Sequence, residues 1–507
     1  MSPNESFNYL RNILLAPVYD VARETEVTPL DKLSQRLGVK VLLKREDQQP
    51  VHSFKLRGSY NNLVHLSEAQ RQQGVIAASA GNHAQGLALA AKKLAVDATI
   101  VMPITTPEIK INSVRRLGAD VRLLGKSFDE AQLECLKLAE AENKTIIHPF
   151  DNPDVIAGQG TVAVELLRQV PHPDVVFIPC GGGGLLAGMA VYLKQMRPQI
   201  KIIAVEADDS ACLKAAMDAG HPVDLESVGL FADGVAVKRI GDETFRLIRQ
   251  YCDAVIVVNS DEICASIKDI FEETRVIAEP AGALSLAGLQ KYCHENEIAS
   301  EQQMVAILSG ANMNFHNLRY VSERCELGEQ KEAILSVTIP EEKGSFKRFC
   351  EALGGRVITE FNYRYNGDDA ANIFVGIRLT GGAEESRQLV AELSANDYKV
   401  EDFSDNELAK LHIRHMVGGK GQAGINERIF RFQSPEYPGA LEEFLNTLGS
   451  LFNITLFHYR NHGAAFGQVL AGFEVKEDQE LAFFQHLKAL GYAWAEETDN
   501  PAYHSFL

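Results

Sequence analysis

Short apolar runs rich in β-branched residues recur from Val39 to Leu308, and stretches with helical spacing separate them. Val39–Lys44 alternates and predicts a strand. Val75–Ala78, Ala98–Met102, Asp120–Leu124, Thr145–Ile147, Val175–Ile178, Lys201–Val205, Ala254–Val258 and Met304–Leu308 predict further strands. Helices are expected between them, among them Gly58–Ser67, Ala84–Leu94 and Ser127–Glu142, while residues 1–30 read as a helix followed by an extended entry at Thr25–Leu30. Strand–helix alternation on this scale implies an α/β region of βαβ units around a mainly parallel sheet. The pattern alone leaves open how the strands divide between two lobes. Val175–Leu193 is uncharged and long enough to suggest a membrane span, but Pro179 and four consecutive glycines break it into strand, loop and helix.

The texture changes after Leu318. Arg319–Ala333 is strongly charged and reads as a connector, and an internal repeat follows. Ile334-Leu335-Ser336-Val337 aligns with Ile429-Phe430-Arg431-Phe432, and Phe349, Leu353 and Gly354 align with Phe444, Leu448 and Gly449. With one residue inserted, Ile358-Thr359, Phe361, Tyr363-Arg364 and Gly376 match Ile454-Thr455, Phe457, Tyr459-Arg460 and Gly472. A repeat of this length is a duplicated small domain, and each copy reads as a ferredoxin-like βαββαβ unit. The expected organisation is a catalytic region over 1–320, a connector over 321–332, and two small domains over 333–405 and 427–504. The copies could bind a ligand or serve only oligomerisation.

A chain of 507 residues supports two or three domains, and 46% hydrophobic with 23% charged residues is ordinary for a globular protein. The formal net charge of −18 argues against nucleic acid or an anionic membrane as partner. Eight cysteines without a Cys-x-x-Cys pair or zinc spacing fit reduced thiols in the cytoplasm, and no metal site is expected. Met1–Asp20 carries no signal or transit pattern.

Candidate chemistry centres on Lys55, set between Phe54 and Leu56. Apolar surroundings disfavour an ammonium, and a neutral amine can form a Schiff base and act as a base; a lysine lying along a helix with its head in water is the bland alternative. Three further blocks each follow an apolar run, where open α/β sheets bind ligands: Ser79-Ala80-Gly81-Asn82-His83-Ala84-Gln85-Gly86, Cys180-Gly181-Gly182-Gly183-Gly184-Leu185, and Ser309-Gly310-Ala311-Asn312. The tetraglycine loop suits a phosphate, because bare backbone N–H groups and a following helix start both favour an anion. Gly182, Gly184 and Ala187, with Glu206 about twenty residues on, also fit a dinucleotide fingerprint. Ser79–His83 could receive a carboxylate at a helix start. Asn82 and Ser309 could equally be turn or cap residues, and His83 reads as structural rather than as a base.

The four blocks, in this order, resemble the fold-type II pyridoxal-phosphate enzymes of the serine/threonine dehydratase branch (tryptophan synthase β-like). With two tandem ACT-like copies behind them, the chain resembles the biosynthetic threonine dehydratases. The resemblance implies pyridoxal 5'-phosphate carried on Lys55, Phe54 near its ring, Asn82 on its 3′-oxygen, Gly181, Gly182, Gly183, Gly184 and Leu185 around its phosphate, and Ser309 at its pyridine nitrogen. It implies a substrate carboxylate at Ser79, Ala80, Gly81, Asn82 and His83, with Glu279 lining the substrate side. The implied reaction is β-elimination from L-threonine, with L-serine as a second substrate, giving 2-oxobutanoate and ammonia as the first step towards isoleucine. Isoleucine inhibition, valine relief, effector-proximal Tyr363, Arg364, Tyr459 and Arg460, and a homotetramer follow from the same resemblance. A serine dehydratase or racemase, a nicotinamide oxidoreductase and a non-catalytic amino-acid sensor are the competing readings.

Overall fold

The computed structural model of the protein describes residues 7–315, 317–340, 345–354, 356, 358–363, 370–415, 426–435, 444, 447–448, 452–461 and 466–506. They form two compact units, Met1–Val321 and Ser322–Leu507. The first unit contains β1 (Val27–Pro29), β2 (Lys40–Arg45), β3 (Val75–Ala78), β4 (Ala98–Met102), β5 (Asp120–Leu123), β6 (Thr145–Ile146), β7 (Val175–Pro179), β8 (Lys201–Ala207), β9 (Ala254–Val258) and β10 (Gln303–Leu308). A six-stranded sheet runs β1-β2-β10-β7-β8-β9, parallel except for β1, and a four-stranded parallel sheet runs β5-β4-β3-β6. β4 and β7 are buried along their whole length. Strands covered on both faces must be apolar throughout, which is why they read as continuous runs in the sequence. Val175–Leu193 is β7, the glycine loop and most of the helix Gly184–Met196, and no helix among the described residues is long and apolar enough to cross a membrane.

The helix expected at Gly58–Ser67 spans Lys55–His65 instead. Its backbone is already right-handed helical at Phe54, so Lys55 is its first residue. Ser67 belongs to the next element: it closes a capping box with Gln70 on the separate helix Glu68–Gln73. Tyr60 and Leu63 pack into the core of the smaller sheet with Val75, Ala77 and Ile100. The helix Asn82–Leu94 crosses directly over the lysine, where a Cβ on Gly86 would lie 2.8 Å from the Leu56 nitrogen.

A buried ion cluster locks this arrangement from below. Arg57 donates to both Glu46 oxygens (2.8 Å each), to Glu165 Oε1 (2.6 Å), to Thr161 Oγ1 (3.1 Å) and to the Arg23 carbonyl (3.2 Å). Lys44 Nζ donates to Glu165 Oε2 at 2.7 Å, and all four charged side chains are fully buried. Burial opposes the charge on Arg57, but Glu46 and Glu165 outweigh it and hold the guanidinium charged. Burial likewise pushes Glu165 up, and Arg57 and Lys44 bring it below the usual carboxylate range. The cluster fastens β2, the helix Lys55–His65 and the helix Pro153–Gln169 to one another.

The second unit holds two copies of one fold. The first has β11 (Glu332–Pro340), a helix Ser345–Ala352, β12 (Ile358–Tyr363), β13 (Ala370–Arg378), a helix Gly382–Ala395 and β14 (Lys399–Asp402). The second has β15 (Glu427–Pro435), β16 (Asn453–Asn461), β17 (Phe466–Glu474), a helix Glu480–Leu490 and β18 (Ala493–Glu496). Both sheets are antiparallel, ordered β12-β13-β11-β14 and β16-β17-β15-β18, the ferredoxin-like arrangement. The aligned residues occupy equivalent places. Ile334 pairs with Gly376 as Ile429 pairs with Gly472, and the edge-strand register slips between Ile358 and Glu360 as it does between Ile454 and Leu456. Each copy has its own core, and Ile334 and Phe374 share a further cluster with Ile429 and Leu470. The charged connector is the helix Asn317–Gly328; the division between the units falls within it, and β11 begins at Glu332.

Candidate active site

Lys55 stands where three loops meet. The segment before it is stitched to the loop after β10: Ser53 bridges Gly310, the Phe54 N–H donates to the Ser309 carbonyl (3.3 Å), and the Ala311 N–H donates to the His52 carbonyl (2.9 Å). Lys55 Nζ donates to the Pro149 carbonyl at 3.1 Å and lies 5.4 Å from the centroid of the Phe54 ring. Burial lowers its pKa to about 8, against the pull of the Glu279 charge. Its place as the first residue of a helix, at the positive end of the dipole, also disfavours an ammonium.

The glycine loop follows β7 and opens the helix Gly184–Met196, which has no side-chain cap. Gly183 is left-handed with φ +91°, a conformation costly for other residues. A Cβ on Gly182 would fall within the Phe150 ring, and one on Gly181 would lie 2.8 Å from the Val235 backbone. Phe150 therefore closes the loop from one side while its neighbour Pro149 accepts from Lys55. Uncapped N–H groups at a helix start form a cradle for an anion. Leu185 is in the first turn of that helix and is buried.

Glu206, the acidic residue that the dinucleotide reading needs, is committed elsewhere. It is fully buried and accepts from the Leu213 and Lys214 N–H groups at 2.8 Å each, capping the helix Cys212–Ala219.

The loop after β3 carries Ser79, whose hydroxyl accepts from the Gly81 N–H at 3.3 Å, and it leads into the helix Asn82–Leu94 with Gly81 as an uncapped N-cap. His83 is structural, as its place in the first turn of a helix suggests. Its imidazole is buried, with Nε2 3.0 Å from the Ile147 carbonyl and Nδ1 3.4 Å from Ser59 Oγ, and burial together with the nearby Lys55 lowers its pKa to about 3. Both ring nitrogens are thus occupied inside the protein, so His83 can offer a substrate only its backbone N–H. Asn82 Nδ2 donates to Glu279 Oε1 at 2.6 Å, and Asn82 Oδ1 accepts from Asn312 Nδ2 at 2.7 Å. Glu279 therefore engages Asn82 directly, where sequence reasoning has it lining the substrate side. Ser309 is buried, its hydroxyl 3.2 Å from the Ala281 carbonyl. Lys110 pairs with Asp233, whose neighbour Gly234 packs so closely that a Cβ there would lie 2.9 Å from the Ala281 Cβ.

Residues 18–310 match the family described as pyridoxal-phosphate dependent enzyme, and residues 323–413 and 419–507 each match the C-terminal regulatory domain of threonine dehydratase. The L-threonine dehydratase biosynthetic IlvA of Escherichia coli (strain K12) is 58% identical over 503 residues, 99% of this chain and 98% of the relative. The mitochondrial threonine dehydratase of Saccharomyces cerevisiae is 51% identical over 514 residues, 99% of this chain and 89% of the relative. This chain belongs to the biosynthetic threonine dehydratase family. Among solved structures, the processed form of threonine deaminase isoform 2 from Solanum lycopersicum superposes with a TM-score of 0.62 at 50% identity, covering 64% of this chain and 94% of that one. Maize serine racemase gives a TM-score of 0.59 at 31% identity, covering 62% of this chain and 96% of that one.

The four sequence blocks thus lie together: Gly86 against Leu56, Ser53 and Asn82 against the loop after β10, and the glycine loop against Phe150, whose neighbour Pro149 accepts from Lys55. Tyr363, Tyr459 and Arg460 lie on β12 and β16 at matching places, Tyr363 opposite Ile373 and Tyr459 opposite Val469, and Arg364 lies outside the described residues. Sequence reasoning missed Pro149, Phe150 and the ion cluster around Arg57. The one available signal was Arg57 itself, an arginine on the same helix two residues after the lysine.

Proposed function

We infer that this chain dehydrates and deaminates L-threonine to 2-oxobutanoate and ammonia with pyridoxal 5'-phosphate, and that its carboxyl-terminal copies regulate that reaction. The residues present fit the cofactor. An amine biased towards neutrality sits at a helix start, and the glycine loop leaves no room for side chains where a phosphate would be cradled. Lys55 would hold the cofactor's carbonyl carbon, Gly181–Leu185 its phosphate, Asn82 its 3′-oxygen and Ser309 its ring nitrogen, with Phe54 beside the ring. Bound there, the cofactor supplies an electron sink for the breaking Cα–H bond.

The protein's own groups do the rest. The N–H groups of Ser79–His83 receive the substrate carboxylate and fix Cα near Lys55. Once the substrate amine has displaced it from the cofactor's carbonyl carbon, the neutral Nζ would take the Cα proton, a role its lowered pKa suits near neutral pH. Ser309 would present a hydroxyl rather than a carboxylate to the ring nitrogen, making the bound cofactor a weaker electron sink and favouring prompt loss of the β-hydroxyl. L-Serine, lacking only the methyl group, is expected as a second substrate.

Catalysis is assigned to residues 1–320, with 321–332 as connector and effector binding to 333–405 and 427–504. An effector amino acid is supported by the paired regulatory matches; isoleucine as inhibitor, valine as its antagonist, and Tyr363, Arg364, Tyr459 and Arg460 near the effectors follow from the family resemblance. A homotetramer in the cytoplasm completes the proposal. The observation that carries the catalytic reading is Lys55, a half-buried lysine with a lowered pKa at the meeting point of three loops. Lys55→Ala is expected to abolish 2-oxo acid release from threonine, and substantial residual turnover would sink the assignment.

A further inference from the structure

Glu279 has no part in the chemistry above, yet it is buried beside it. It is the N-cap residue of the helix Pro280–Glu295, but its side chain does not cap that helix. Its carboxylate instead accepts from Asn82 Nδ2 at 2.6 Å. On the other edge of the same amide, Asn82 Oδ1 accepts from Asn312 Nδ2, which also donates to the Val51 carbonyl at 2.8 Å. These partners allow the Asn82 amide one orientation. The Val51 carbonyl only accepts, so the Asn312 amino group faces it and donates to Asn82 Oδ1, and the oxygen and nitrogen of Asn82 cannot exchange places. The second N–H of Asn82 Nδ2 has no partner among the described residues, and its nitrogen is located by Glu279.

We propose that Glu279 is a positioning residue for the cofactor, orienting the Asn82 amide so that its free N–H meets the 3′-oxygen of pyridoxal 5'-phosphate. The proposal rests on the reading that Asn82 faces that oxygen. The rival role for Glu279 is as a counter-charge to Lys55, whose pKa it raises. Lys110 and Asp233, the other charged groups that act on Glu279, pair with each other. Orientation needs only an acceptor atom, whereas a counter-charge needs the charge itself, so glutamine and alanine separate the two roles.

The test measures the dissociation constant of pyridoxal 5'-phosphate and the absorbance band of the bound cofactor in the full-length protein. Asn82→Ala is expected to weaken binding about tenfold, the scale of one hydrogen bond to a charged group, and to shift the band. Glu279→Ala is expected to reproduce both changes, and to add less than about twofold in the Asn82→Ala background, because the two residues act as a unit. Glu279→Gln retains an acceptor for Asn82 Nδ2 and is expected to keep the native band and an affinity within about threefold of native. Glu279→Met, which fills the vacated volume, replaces the alanine variant if that one fails to fold, as read from the melting of the cofactor-free protein. Glutamine behaving as alanine does would overturn the proposal in favour of the counter-charge. So would a native band and affinity in Glu279→Ala alongside a defective Asn82→Ala, which would leave the reading of Asn82 standing. An unaffected Asn82→Ala would remove that reading, and the proposal with it.

Discussion

Replacing Arg57 with methionine keeps most of the side-chain volume but leaves the Glu46 and Glu165 carboxylates facing Lys44 alone. The four groups are fully buried, so water cannot compensate the charge left over. Breaking one partner out of a buried pair costs about 3–5 kcal/mol. The unit that contains the cluster spans Met1–Val321. At an unfolding entropy of roughly 2.1 cal/mol/K per residue, a unit of that length loses about 4–7 °C in Tm. Differential scanning calorimetry of Arg57→Met against the native protein measures this directly. Adding Glu46→Gln removes one of the stranded charges and should recover about half of the loss. The sign with pH also follows. Arg57 and Lys44 hold Glu165 below its ordinary pKa of 4.5, so in the native protein this stabilisation is present above that pH and is lost as pH falls. The gap between native and variant should therefore narrow below about pH 4.5. A variant within about 1 °C of native, or a double variant no better than the single one, would refute the view that the cluster holds the lysine helix in place.

Two further outcomes follow from the same site. Gly182→Ala would drive a methyl group into the Phe150 ring, and overpacking of about 1–3 kcal/mol should weaken cofactor binding roughly five- to 150-fold, measured by equilibrium dialysis; unchanged affinity would contradict the cradle. In the cofactor-free protein, capture of pyridoxal 5'-phosphate by Lys55 should rise with pH around a midpoint of about 8 rather than 10.5. Because the folded pKa lies below the unfolded one, the unfolded chain binds more protons across that interval, so the cofactor-free protein should gain stability as pH rises through it, and Lys55→Met should not. A capture midpoint near 10 would show that the amine is solvated.

β3 and β4 fall where the hydrophobic pattern places them, because parallel strands covered on both faces must be apolar from end to end. The repeat is legible for a related reason: Ile334 and Ile429 oppose Gly376 and Gly472 in the same register, so both copies constrain the same residue types. Buried charge is where the pattern misleads. Lys55 and Arg57 open a helix, and Lys44 and Glu165 lie inside a strand and a helix, yet periodicity assigns such residues to water. The pattern accordingly starts the lysine helix three residues late. The four ligand loops are readable because each pairs a strand end with an unusual local composition. Their supports are not, since Pro149 and Phe150 reach the site only through tertiary contacts with residues far away in the chain. His83 is drawn into the substrate loop by its neighbours, and only the Ile147 carbonyl shows where its ring goes. The division of strands between two lobes depends on crossovers that no local pattern records.

Threonine elimination and amino-acid control are joined in one chain. Release of 2-oxobutanoate from L-threonine by the purified full-length protein, followed with and without isoleucine, tests that union most directly. Turnover that isoleucine suppresses and valine restores is the predicted result. Turnover indifferent to isoleucine would contradict the regulatory half, and no turnover with cofactor bound and Lys55 intact would contradict the catalytic half.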